Sequence, residues 1–100
     1  MPFLAALTIH LHLADNNSLK GKRKELLSVR AALTRRFGAS VAEVDSQDLW
    51  QRATLAAGLV SASAADLDHA IDDIERYLFA RFPEGARVER RLVSFNDIDA

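Results

Sequence analysis

Leu7, Ile9, Leu11 and Leu13 alternate with Thr8, His10 and His12, the period of a strand buried on one face, within an opening segment that begins at Phe3. A polar turn over residues 14–17 follows, and Ser18 is placed to cap a helix through its hydroxyl. Leu26, Val29, Leu33 and Phe37 then recur at helical spacing until Gly38, where a left-handed stop is expected. Ser40–Ser46 carries Val41 and Val44 in a β-prone run and predicts a second strand. Residues 47–51 form the turn of a hairpin, and the small apolar stretch Arg52–Ser61 predicts an interior strand. Ser63 and Asp66 have the spacing of a capping box, with Asp in the place of Glu. Leu67, Ile71, Ile74, Leu78 and Phe82 trace the apolar stripe of a second helix, which Pro83-Glu84-Gly85 ends. Arg87–Phe95 reads as a charged edge strand.

The order β-α-β-β-α-β is that of the ferredoxin-like fold, an α+β sandwich. Right-handed crossovers place both helices on one face of a four-stranded antiparallel sheet. The other face, with Thr8, His10 and His12, is left to solvent or a partner. A single domain over residues 1–95 is expected, with a flexible C-terminal tail over 96–100. One hundred residues with 49% apolar character suit that size. No cysteine is present, which excludes a disulfide framework, thiolate metal sites and a cysteine nucleophile. The polar residues interleaved in the first strand argue against a signal peptide, and no run is apolar enough to span a membrane. A cytoplasmic protein is the expectation.

Two segments are more specific than the topology. They are Ser18-Leu19-Lys20-Gly21-Lys22-Arg23 at the start of the first helix and Val41-Ala42-Glu43-Val44-Asp45-Ser46-Gln47-Asp48-Leu49-Trp50-Gln51-Arg52-Ala53 across the hairpin. Together with the opening strand they resemble the YlxP-like family of small bacterial proteins, over roughly residues 3–95. The resemblance implies a ferredoxin-like fold and a bacterial cytoplasmic setting. Because members are often encoded beside translation-initiation and ribosome-maturation genes, it also implies a role near the ribosome. It supplies no activity that can be assigned to individual residues.

Thirteen Lys and Arg against fourteen Asp and Glu give a net charge of −1, short of the strongly basic balance of a typical nucleic-acid module. The total conceals an uneven distribution. The first helix carries Lys20, Lys22, Arg23, Lys24, Arg30, Arg35 and Arg36 against the single acid Glu25, whereas Asp66, Asp68, Asp72, Asp73 and Glu75 dominate the second. Free amides, the Ser18 hydroxyl and ammonium groups at a helix start are the ingredients of a phosphate site. Ser18, Lys20, Lys22, Arg23, Lys24 and Arg35 are therefore the candidate contacts to RNA. The bland reading is a solvated face, paired in part with the acids of the second helix. By helical spacing Lys22 falls towards the apolar stripe, so it must snorkel or meet an acid.

Trp50 and Arg52 are of residue types enriched at binding hot spots and form a candidate partner surface; the bland reading has Trp50 covering an open edge of the core. Glu43, Asp45 and Asp48 suit turn amides and an ion pair with Arg52 better than a divalent metal site. His10 and His12 share a strand face without further metal ligands evident. No nucleophile elbow or phosphate loop organises the Ser, His and Asp residues. No metal, no cofactor, no small-molecule substrate and no catalytic residue is assigned. The expected function is a non-catalytic accessory protein of translation or ribosome assembly, contacting rRNA or a ribosomal subunit through its first helix. The rival is a homodimeric interaction module using the open sheet face.

Overall fold

A computed structural model describes residues 2–83 and 85–98. The chain runs β1 (Phe3–His12), α1 (Leu19–Phe37), β2 (Ser40–Asp45), β3 (Arg52–Ser61), α2 (Ala64–Arg81) and β4 (Ala86–Ser94). The strands form one antiparallel sheet in the order β2-β3-β1-β4, the ferredoxin-like arrangement.

The core lies between the helices and one sheet face. Ala5, Leu7, Ile9 and Leu11 of β1 are buried there with Ala53, Leu55, Ala57 and Leu59 of β3. Three of their four cross-strand pairs set a large side chain against alanine (Leu59 with Ala5, Leu7 with Ala57, Leu11 with Ala53), which leaves room for the helix side chains. Leu26, Val29 and Leu33 of α1 and Leu67, Ile71, Ile74 and Leu78 of α2 fill that room.

The helix ends follow local chemistry. Ser18 Oγ accepts from the Gly21 amide at 3.0 Å. At the other end Gly38, at φ 70°, donates to Thr34 O, the single bond of a left-handed αL ending, and Ala39 donates to Leu33 O. At α2 only half of the expected capping box forms. Ser63 Oγ accepts from the Asp66 amide, but the Ser63 amide is taken by Ser61 Oγ.

The expected tail begins differently. Phe95–Asp97 form a 3-10 turn, with Ser94 Oγ accepting from the Asn96 amide and the Phe95 amide donating to Pro2 O. Asp99 and Ala100 of the tail, and Glu84 of the α2 stop, lie outside the described residues.

The open face is graded along the strands. Leu4, Val60 and Val93 lie in register at one end, and Val60 is 66% exposed. Ala6, Gly58, Thr8 and Ala56 occupy the middle, and His10, His12, Arg52 and Arg87 the far end. No helix among the described residues is long and apolar enough to cross a membrane.

Candidate nucleic-acid interface

On α1, Lys22 shares a face with Leu26, Val29 and Leu33, so the helical repeat carries it inward. It is only 2% exposed. Its Nζ donates to Ser46 O at 2.6 Å and Leu49 O at 2.8 Å, with Gln47 O at 3.5 Å. Glu43 Oε2 lies 3.0 Å from the same nitrogen yet makes no hydrogen bond. That contact is therefore one of charge, while the loop carbonyls take the ammonium protons. Lys22 has met an acid, as its spacing required, and this corrects its place among the phosphate contacts: its ammonium is spent inside the protein.

The loop so held is strained. Ser46 has φ 62°, a left-handed conformation uncommon outside glycine. Its carbonyl receives both Lys22 and the Leu49 amide, and its own amide donates to Asp45 Oδ1. Asn16 fastens the same loop from the other side. Its Nδ2 donates to Ser18 O and Trp50 O, and its own carbonyl accepts from Gln51 Nε2. A Cβ at Gly21 would crowd Asn16 Oδ1, so a larger residue there would displace the Asn16 amide that ties the loop. The start of α1 and the Trp50 loop are one tied assembly, although the sequence offered them as two surfaces.

Around this assembly, Lys20, Arg23 and Lys24 are exposed and form no ion pair among the described residues. Positions 20, 24, 27, 31 and 35 make one outward stripe of α1, on which Leu27 is also exposed. Arg35 lies at its far end, about 22 Å from Lys20 at 1.5 Å per residue. Arg30 instead donates to Val41 O, and Arg36 stacks over Phe37 and Tyr77.

The two helices do not neutralise each other. Asp72 and Glu75 of α2 both bind Arg90 of β4, which holds that guanidinium further up from its usual pKa, the Asp72 bond contributing most. Asp73 pairs with Arg76 of its own helix. Among the described residues, the ion pair between the helices runs against their charge, joining α2's Arg81 to α1's single acid, Glu25, at 3.7 Å.

Trp50 is 53% exposed and Leu49 beside it 50%, so the indole does not close the core. Arg52 extends from the opposite side of the sheet, in register with His12. The expected pairing of Arg52 with the loop acids is thus corrected: Glu43 faces Lys22, and no ion pair is formed by Arg52 among the described residues. A bulge between Glu43 and Asp45 turns these acids to opposite faces, in register with buried Leu55 and open-face Thr54 respectively. Among the described residues no group of three His, Asp or Glu side chains is arranged to hold a metal ion.

Known proteins place this arrangement in context. The chain matches a family described as "Protein of unknown function (DUF503)" over residues 4–91. It is 30% identical over 81 residues to "Uncharacterized protein YlxP" of Bacillus subtilis, covering 81% of this chain and 87% of that one. Among solved structures, the de novo designed protein Foldit4 superposes with a TM-score of 0.60 at 10% identity, covering 94% of this chain and 98% of the design. A variant of SnoaB, a cofactor-independent oxygenase from Streptomyces nogalater, gives 0.53 at 10% identity with 91% of each chain covered. Both structural likenesses speak to the fold alone. The family match and the Bacillus relative agree along most of the chain, and the protein belongs to the DUF503, YlxP-like family.

Proposed function

We propose that the protein is a non-catalytic, cytoplasmic accessory factor of bacterial translation or ribosome assembly that binds rRNA on a ribosomal subunit through α1. The observation that carries this reading is the set Lys20, Arg23 and Lys24. They are exposed, close together and without acidic partners among the described residues, although the chain as a whole is slightly acidic. Three free cations in one helix turn, extended by Arg35 along the same stripe, suit a phosphate backbone. Trp50, on the loop tied to that turn, offers a ring on which an unpaired base can stack. Binding by these groups reads charge and shape, since among the described residues no row of strand aromatics is present to select bases.

Trp50 is the single tryptophan, which makes its emission a direct reporter. Titration with a 16S rRNA fragment at about 50 mM salt, where phosphate contacts are strong, is expected to quench and shift that emission. Unchanged emission, with RNA shown to bind by gel shift, would remove Trp50 from the interface.

The exposed apolar end of the open face at Leu4, Val60 and Val93 favours a second reading, a homodimer through the sheet. Sedimentation equilibrium separates the two: a monomer at micromolar concentration is expected if α1 is the working surface, and a concentration-independent dimer favours the rival.

A further inference from the structure

The cationic end of the open face lies on the side of the sheet away from α1 and makes no use of Lys20, Arg23 or Lys24. Side chains of alternate strand residues share a face, and directly opposed pairs stand about 5 Å apart. His12 is opposite Arg52, and His10 lies between Thr54 on β3 and Arg87 on β4. Together with Ser46 they line an open recess of about 620 Å³. Among the described residues, no acidic side chain lines it.

The nearby acids among the described residues are already partnered, Glu89 by two side chains of the recess itself. Glu89, opposite Thr8, accepts from His10 Nε2 at 2.6 Å and from Arg87 at 3.2 Å through one oxygen. The His10 hydrogen bond foremost, then the charge of Arg87, holds its carboxyl below the usual range. Asp45 turns to the Ser46 amide. Arg52 and His12 have no side-chain hydrogen bond or ion pair among the described residues.

We propose that this recess binds a phosphate group, as free phosphate or as a terminal phosphate monoester, between Arg52, His12 and Arg87. The choice of phosphate over carboxylate rests on shape. One guanidinium satisfies both oxygens of a planar carboxylate, whereas donors converging from three adjacent strands suit a tetrahedral group with three free oxygens. The recess exceeds the size of a bare anion, which leaves space for the group esterified to it. The inference stands on residues distinct from Lys20, Arg23 and Lys24 and does not depend on the RNA reading.

The test is an amide-resolved NMR titration with inorganic phosphate, repeated with one oligoribonucleotide bearing either a 5′-phosphate or a 5′-hydroxyl. Shifts centred on residues 10, 12, 52, 54 and 87 are expected. Arg52→Gln should weaken phosphate binding at least about tenfold, the effect of losing a charge-assisted bond. Glu89→Gln should strengthen it, because a competing carboxylate is removed from His10 and Arg87. Both substitutions are at exposed positions, and amide dispersion checks that the fold persists. Lys20→Glu/Lys24→Glu should leave the phosphate-induced shifts at residues 10, 12, 52, 54 and 87 unchanged, since these residues lie on the other side of the sheet. Preference for the 5′-phosphorylated strand, lost in Arg52→Gln, identifies a nucleic-acid end as the source; equal binding of the two strands alongside phosphate binding identifies a small phosphate. The proposal is overturned if millimolar phosphate shifts none of these residues, or if Arg52→Gln leaves the affinity intact.

Discussion

Lys22→Met is expected to lower the stability of the domain by about 3–5 kcal/mol, the cost of removing one partner from a buried ion pair. Methionine keeps an unbranched apolar stem of similar length among the core side chains, with sulfur in place of one methylene, and removes the ammonium. The carbonyls of Ser46 and Leu49 then lose their donor, and Glu43 keeps a half-buried charge without a cation. The left-handed Ser46 loses the contact that holds it in place. Against a total of about 5–15 kcal/mol for a domain of this size, that loss is large. Urea denaturation measures it as a lower midpoint at unchanged slope. The double variant Lys22→Met/Glu43→Gln should recover part of the loss, since no charge is stranded. Lys20→Met, on the solvent side, should stay within about 0.5 kcal/mol of the parent. A Lys22→Met cost below about 1 kcal/mol contradicts the account of this anchor.

The second large effect concerns binding. Lys20→Glu/Arg23→Glu/Lys24→Glu is expected to weaken association with rRNA by about a hundredfold or more, as two or more charged phosphate contacts are lost and repulsion replaces them. None of the three side chains forms an ion pair among the described residues, so the fold should tolerate the change. Arg35→Glu, about 22 Å along the stripe, should cost less. Fluorescence anisotropy with labelled 16S fragments measures both. Loss confined to Arg35→Glu would move the interface to the other end of α1.

Periodicity carried most of the fold. β1, β3 and both helices bury one regular face each, and those faces were readable as period 2 or 3.6 along the chain. Even the inward turn of Lys22 followed from its place on the Leu26–Val29–Leu33 stripe. Its partner did not follow. Simple alternation puts Glu43 and Asp45 on one face, and the bulge between them, invisible in the sequence, sends them to opposite faces. That bulge gives Glu43 to Lys22 and leaves Arg52 free of the loop acids. The recess at His12 and Arg52 was hidden for a related reason. His10 and His12 were legible as sharing a face, but the approach of Arg52 and Arg87 depends on the register of β1 with two strands distant in sequence. In the sequence Asn16 carries only the signal of a turn residue, although its amide joins two loops 34 positions apart.

The most direct test of the α1 surface is co-sedimentation of the purified protein with ribosomal subunits at about 50 and 200 mM salt, beside the Lys20→Glu/Lys24→Glu variant. Release of counterions from neutralised phosphates makes such binding fall steeply with salt, and a variant with fewer contacts must show both weaker binding and a shallower slope. The account predicts binding at low salt, its loss at high salt and a flattened dependence in the variant. Absence of binding at about 50 mM, or binding that neither salt nor the variant alters, would contradict it.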